Sequence, residues 1–219
     1  MQTTGWHCRE RGAALMTALL ITVLLGGLAA VITSITITET LIAGAHRHGY
    51  ESSYAADAAI ERALGDLAAI PDWTMVLLPP PAHLESTFVD GLARPTAPDG
   101  RQLDVAALTL ARQRDSDARE GPAVFGADAP QWRLFAHSAL SAILPSGVAA
   151  QPAYVLVWVA DDGLDGDGDP SLDTNRRLLV FADAYGSGGA RRSVEAAVAR
   201  SADGVIHVLT WQGAASRLQ

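Results

Sequence analysis

Apolar residues are concentrated in one long run near the start of the chain and in several short runs near its end. No charged residue occurs between Gly12 and Thr38. This run exceeds the roughly 20 residues with which a helix crosses a bilayer. It is also longer than the apolar region of about 7–15 residues that is typical of a cleaved secretion signal. The pattern therefore predicts a membrane-spanning helix.

The helical pattern continues well beyond the apolar run. No proline occurs from there to Pro71, and apolar residues recur three or four positions apart at Ile60, Leu64 and Leu67. This spacing is typical of an amphipathic helix. It predicts one long helix over residues 13–70, transmembrane in its first half. Two glycines, Gly44 and Gly49, each lower helix stability by ~1 kcal/mol relative to alanine, so the sequence leaves its continuity there open.

Prolines and short runs mark a different region over residues 71–150. Pro71 and the Pro79–Pro81 cluster end the helical pattern and favour an extended segment. The composition from Glu85 to Gly126 predicts loops around one short helix at Leu103–Arg114. Alternation from Trp132 to His137 then indicates a strand. We interpret this region as a loop-rich part of the head.

The last part of the chain, residues 151–213, has the pattern of a β-sheet. Tyr154–Ala160 and Arg177–Tyr185 are rich in β-branched and aromatic residues, and RRSVEAAVAR and GVIHVLTWQ follow after Gly-rich turns. Such runs predict an antiparallel meander of three or four strands with one covered face. The long helix can supply the cover. The predicted class is α+β, with a long N-terminal transmembrane helix packed on a small C-terminal antiparallel sheet.

Composition and charge exclude several functions. The net charge of −8 and the pI near 5.1 argue against binding to nucleic acid, which requires clustered positive charge. A single cysteine, Cys8, excludes a disulfide framework. The histidines do not have metal-ligand spacing, and no nucleophile, phosphate-loop or zinc-protease motif occurs. We therefore do not expect an enzyme.

Charges on either side of the apolar run predict its orientation. Arg9 and Arg11 precede it and Glu39 follows it. By the positive-inside rule, we expect the N-terminus in the cytoplasm and the head outside, in the periplasm or beyond, with one pass through the membrane. The second half of the run is small and hydroxylated, a composition typical of helices that pack on other helices in lipid: Gly26, Gly27, Ala29, Ala30, Thr33, Ser34, Thr36 and Thr38.

These features together resemble a known family. The short Arg-bearing leader that ends in Gly12, the apolar helix after it and the extension SSYAADAAIERAL resemble the class III signal of type IV pilins and of type II secretion pseudopilins. The phrase RGAALMTALLITVLL most resembles PilX-type pilus assembly proteins. The resemblance covers the first 70 or so residues. It implies a pilin-like fold.

The resemblance also implies how the chain is processed and what it binds. Prepilin peptidase would cut after Gly12, removing a leader of residues 1–12, and Ala13 would become the methylated N-terminus. The helix would first anchor the protein in the inner membrane and would then pack against other pilins or pseudopilins in a filament. The expected function is that of a minor pilin in pilus assembly, priming or tip contacts, connected with adhesion and motility.

Two positions depart from the family pattern. Major pilins carry an aromatic residue at the first mature position and glutamate at the fifth, where this chain has Ala13 and Thr17. PilX-type proteins and the K-type minor pseudopilin also lack the glutamate, so the departure favours a minor subunit. Three alternatives stay open: a minor pseudopilin of type II secretion, a plain signal-anchored periplasmic binding protein, and a secreted protein cut near Gly27–Ala29.

An acidic loop lies between the first two strands of the meander. Its six aspartates are Asp161, Asp162, Asp165, Asp167, Asp169 and Asp173. The alternation from Asp165 to Asp169 resembles the start of an EF-hand, although Pro170 and Arg176 stand at its sixth and twelfth positions. It predicts a Ca²⁺ site with Asp165, Asp167, Asp169 and Asp173 as ligands. The alternative is a solvated loop whose carboxylates pair with Arg176 and Arg177.

Overall fold

The computed structural model describes residues 7–148 and 151–214, without the side chains of residues 7–12, Glu120 and Ala214. Residues 1–6 of the predicted leader lie outside the described residues. The chain divides into two compact units, with the boundary between His46 and Arg47. The first unit is helical, and the second contains the rest of the helix and the head.

The first helix, α1, runs from His7 to Ala69 and is continuous across Gly44 and Gly49. Its side chains from Ala13 to Ala43 are all exposed, although most of them are apolar. The helix is long and apolar enough to span a membrane. The prediction of one long N-terminal helix is therefore confirmed.

The end of α1 follows from the residues beyond it. Pro71 restricts the backbone of Ile70, so that the helix stops at Ala69. Trp73 then folds back and is almost completely buried. Its indole Nε1 donates a hydrogen bond of 3.0 Å to the carbonyl oxygen of Leu67. One of the carbonyl groups that every helix end leaves unpaired is thereby satisfied.

Five antiparallel strands form one sheet whose order in space is their order in the sequence. They are β1 (Arg133–Ala139), β2 (Ala153–Asp161), β3 (Arg177–Gly186), β4 (Arg191–Arg200) and β5 (Ile206–Ala214). The predicted antiparallel meander corresponds to the last four strands. The remaining strand, β1, lies at the edge of this meander, where it pairs with β2. The pairing of β1 with β2 is irregular between Leu134 and Ala136. These elements confirm the α+β class.

Both faces of the sheet are covered at its centre. All nine residues of β2 are buried. On one face, alternate residues such as Val155 and Val157 belong to the same apolar cluster as the later part of α1. On the other, Leu156 and Trp158 belong to a second cluster that includes Leu103 and Val105. The sequence pattern predicted one covered face, whereas the structure has a three-layer arrangement around the central strands.

Small residues allow α1 to approach the sheet closely. Ala55, Ala56, Ala59 and Ala63 are at most 1% exposed. A larger side chain at these positions would separate the two layers and open voids beside Ile60, which is also fully buried. At Gly186 on β3, a Cβ atom would lie 2.3 Å from the hydroxyl oxygen of Ser52. Helix and sheet are therefore matched in shape along their contact.

The second layer is built from the segment before β1. Its main helix, α3, spans Val105–Glu120, so that it continues beyond the predicted Leu103–Arg114. Asp104 caps its N-terminus, where the carboxylate accepts a hydrogen bond of 3.0 Å from the backbone N–H of Ala107. Shorter elements complete the head: α2 (Thr74–Leu77), α4 (Pro122–Phe125), a 3₁₀ turn (Gly126–Asp128) and α5 (Leu140–Ile143).

A buried arginine joins α3 to the sheet. The guanidinium of Arg112 lies 4.2 Å from the ring centre of Trp132 and 3.9 Å from that of Phe181. It also lies 3.7 Å from a carboxylate oxygen of Glu195 on β4. Burial lowers the pKa of Arg112 to about 10, so the side chain stays charged at neutral pH. Stacking and ion pairing together keep this cation stable inside the head.

The close contact between α1 and the sheet leads to a prediction. Ala59→Leu places three extra carbon atoms where no space exists, and we expect it to lower the free energy of unfolding by about 2–3 kcal/mol. Ala68→Leu, on an exposed position of the same helix, should change it by no more than about 0.5 kcal/mol. Urea unfolding of the full chain in detergent, followed by tryptophan fluorescence, measures both. Equal effects of the two variants would contradict the packing described here.

Candidate functional site

The two predicted processing residues, Gly12 and Ala13, both lie within α1. The carbonyl oxygen of Ala13 accepts a hydrogen bond of 2.9 Å from the hydroxyl of Thr17. Five further threonines make the same bond to the residue four positions earlier: Thr22, Thr33, Thr36, Thr38 and Thr40. These hydroxyls need no water, because the helix itself satisfies them.

The acidic loop connects β2, which ends at Asp161, to β3, which begins at Arg177. Side chains within the loop hold it in a defined path. Thr174 donates to Asp165 Oδ2 through its hydroxyl at 2.8 Å, and Asn175 Nδ2 donates to Asp162 Oδ1 at 2.8 Å. The loop is also attached to the head, since the backbone N–H of Asp173 donates to the hydroxyl of Thr74.

The four predicted calcium ligands have different surroundings. Asp165 and Asp167 lie close together, in a group described below. Asp169 is exposed, and its Oδ1 accepts a hydrogen bond of 3.0 Å from the backbone N–H of Ser171. Asp173 accepts one of 3.2 Å from the backbone N–H of Arg177. All four side chains accept backbone hydrogen bonds, since Asp167 Oδ1 accepts one from Asp169 and Asp165 Oδ2 one from Thr174. The structure therefore brings Asp165 and Asp167 together and does not group Asp169 and Asp173 with them.

A third carboxylate joins Asp165 and Asp167 from a separate part of the chain. Asp128 ends the 3₁₀ turn after α4, and one carboxylate oxygen from each of the three residues lies within 4.8 Å of the others. Asp128 is nearly buried, Asp165 is partly buried and Asp167 is exposed. The sequence pattern did not indicate Asp128 as a ligand, because nothing in its local sequence distinguishes it from other loop aspartates.

Gly163 explains why the turn and the loop can meet. It has a φ of +63°, and a Cβ atom there would lie 2.6 Å from the carbonyl oxygen of Asp128. The same Cβ atom would lie 3.3 Å from the ring of Phe125. Only glycine combines this backbone conformation with so close a backbone approach. The contact therefore fixes the turn against the start of the acidic loop.

Buried oxygen atoms without hydrogen-bond donors are concentrated in this region. Among the described residues, the buried side-chain oxygens that lack a partner are Asp128 Oδ1, both carboxylate oxygens of Asp161, Asp165 Oδ1 and Asn175 Oδ1. Such groups are costly to bury, because they lose water without gaining a donor. All of them belong to the acidic loop or to the turn that packs against it.

The charge of the loop is poorly compensated. Burial, together with the nearby charge of Asp165, raises the pKa of Asp161 to about 8. Burial also raises the pKa of Asp173. The one ion pair that the described residues make with the loop joins Arg177 to Asp162, at 4.0 Å. This interaction is at the limit of an ion pair, so arginine does little to neutralise the carboxylates.

The later part of the apolar N-terminal helix packs on an antiparallel sheet, which is pilin-like in general terms. Comparisons of the chain with models of protein families, with curated proteins and with solved structures found no match.

The contact at Gly163 leads to a second prediction. Gly163→Ala adds a methyl group against the Asp128 carbonyl in a left-handed conformation, and we expect it to lower the free energy of unfolding by about 2–3 kcal/mol. Gly166→Ala is the matched control, because Gly166 has a φ of +71° and open space around its Cβ position. Gly166→Ala should lower the free energy of unfolding by about 1 kcal/mol or less. Urea unfolding of both variants with a calcium chelator present tests the difference, and equal losses would contradict the contact.

Proposed function

We propose that this protein is a minor pilin-like component of a type IV pilus, of the PilX type, which acts in pilus assembly, priming or tip contacts. The observation that carries the proposal is the continuity of α1. One helix from His7 to Ala69 has an exposed apolar part and a later part that covers an antiparallel sheet. A subunit that leaves the membrane to enter a filament needs both parts on one element.

The surface of the first part of α1 suits lipid and also suits other helices. Leu15, Leu20 and Leu24 are 68–72% exposed, so the described residues leave the apolar surface of this part uncovered. An exposed apolar surface of this length requires cover, by lipid or by another protein. Gly26 and Gly27 have open space around them, and small residues of this kind allow the backbones of neighbouring helices to approach closely.

The start of the helix supports a minor rather than a repeating subunit. Thr17 stands where the glutamate of major pilins would be, and its hydroxyl donates to its own helix at Ala13. It supplies no negative charge to the N-terminal amine of a neighbouring subunit. A buried amine without a carboxylate is destabilising. This protein therefore belongs where the contact occurs once, as at a filament tip, and not where it repeats along a filament.

The proposal includes a location and a processing route. The chain crosses the bacterial inner membrane once, with its N-terminus in the cytoplasm and its head in the periplasm. Prepilin peptidase cuts between Gly12 and Ala13 and methylates Ala13. The mature helix then packs with other pilins, and the head can leave the cell with the pilus.

Processing can be tested with a single substitution. Gly12→Val should block cleavage by prepilin peptidase, because the enzyme requires a small residue at that position, and the protein should accumulate with its leader. Gly5→Val is the control and should be processed normally. Intact-mass and N-terminal analysis of both proteins from the native host measures the result. Native chains should begin at a methylated Ala13.

A native chain with a different first residue would contradict the proposal, and each alternative first residue would identify a different class of protein. A native chain that begins at Met1 would identify a plain signal-anchored protein. One that begins near Ala30 would identify a secreted protein. If Ala13 is the start, loss of the protein should reduce surface pili without changing protein export. Loss of export with normal pili would instead identify a type II secretion pseudopilin.

A further inference from the structure

Three carboxylates from two separate segments of the head converge, and none of them is ion-paired with a cation among the described residues. The oxygens of Asp128, Asp165 and Asp167 that face one another all lie within 4.8 Å. Among the described residues, no arginine or histidine makes an ion pair with any of the three. Like charges at this separation repel one another unless a positive charge lies between them.

Asp128 gives evidence that is independent of the acidic loop. Its residue is 7% exposed, and its Oδ1 has no hydrogen-bond donor among the described residues. This aspartate belongs to the turn Gly126–Asp128 and faces the loop aspartates from outside their segment. A carboxylate that is buried, lacks a donor and points at two others has the surroundings of a metal ligand.

We propose that Asp128, Asp165 and Asp167 bind one Ca²⁺ ion, which joins the turn Gly126–Asp128 to the loop between β2 and β3. This ligand set differs from the one that an EF-hand pattern predicts, since it includes Asp128 in place of Asp169 and Asp173. The inference does not rest on the proposed function, because it concerns only contacts within the head.

The spacing of the oxygens favours calcium over magnesium. Ca²⁺ binds oxygen at about 2.3–2.6 Å, so two of its ligands on opposite sides are up to about 5 Å apart. Mg²⁺ binds at about 2.0–2.1 Å and requires a stricter octahedron, so its opposite ligands are only about 4 Å apart. The three oxygens within 4.8 Å can therefore all reach a calcium ion with little movement.

Further oxygens without hydrogen-bond donors lie in the same loop. Asp165 Oδ1 and Asn175 Oδ1 are buried and have no donor among the described residues. The carboxyl group of Asp161 is fully buried and equally without a donor among the described residues. A divalent cation would compensate these oxygens together. It would also order a connection that is much longer than the usual hairpin loop of 2–5 residues.

The expected affinity is that of an extracellular calcium site. Among the described residues three carboxylates are brought together, and Asp167 is exposed, so water must complete the coordination. Sites of extracellular modules have dissociation constants of about 10⁻⁴–10⁻³ M.

Calorimetric titration of the full chain in detergent, after removal of metal with EGTA, tests the site directly with CaCl₂ as the probe. We expect one binding site per chain, and at least tenfold weaker binding in Asp128→Asn. The matched control is Asp169→Asn, which removes the same charge from the same loop outside the group and should change the dissociation constant less than threefold. MgCl₂ should bind at least tenfold more weakly than CaCl₂.

Thermal unfolding separates a ligand from a structural residue. In EGTA, Asp128→Asn should unfold at the same temperature as the wild type or at a higher one, because a buried charge is removed. At a CaCl₂ concentration of 5–10 times the dissociation constant, the unfolding temperature of the wild type should rise and that of Asp128→Asn should rise little. The wild type should then unfold at the same temperature as the variant or at a higher one.

Three results would overturn the inference. The first is no heat of binding and no shift of unfolding temperature with CaCl₂ in the wild type. The second is loss of binding in Asp169→Asn with normal binding in Asp128→Asn, which would identify the EF-hand arrangement instead. The third is an equal loss of stability in Asp128→Asn with and without calcium, which would make Asp128 a structural residue. None of these results depends on how the N-terminus is processed.

Discussion

The structure depends on the burial of β2 on both faces. All residues from Ala153 to Asp161 are buried, so the apolar side chains of this strand need cover above and below the sheet. The later part of α1 covers one face with its small residues, and α3 with the segment before it covers the other. A strand inside a sheet can stay this apolar only when both covers are present, and the meander places β2 and β3 between them.

The same constraint explains the polar groups inside the head. Arg112 on α3 meets the sheet from its second face, where two aromatic rings and Glu195 keep its charge stable. Asp161, the last residue of β2, is buried because its strand is covered up to its end. The turn Gly126–Asp128 follows α3 and α4, so the packing of this layer also brings Asp128 to the acidic loop. The proposed calcium site is thus a consequence of the second layer.

The helix links the fold to the proposed function. Along α1, exposed apolar residues with internally bonded threonines give way to alanines that are buried on the sheet. In the first part the bonded threonine hydroxyls suit burial in lipid or among other helices, and the second part packs on the sheet of the head. The helix continues through Gly44 and Gly49. One helix therefore contains both the exposed apolar part and the part that packs on the sheet.

The sequence by itself determined the features that depend on local pattern. The uncharged run after Gly12, the break at Pro71 and the alternating runs after Tyr154 predicted the helix, its end and the sheet, because periodicity and proline act on neighbouring residues. The tertiary structure alone decided that α3 covers the second face, that Arg112 is buried and that Asp128, in place of Asp169, lies beside Asp165 and Asp167. These contacts join segments far apart in the chain, and they form only because apolar faces that no local pattern pairs must be buried against each other.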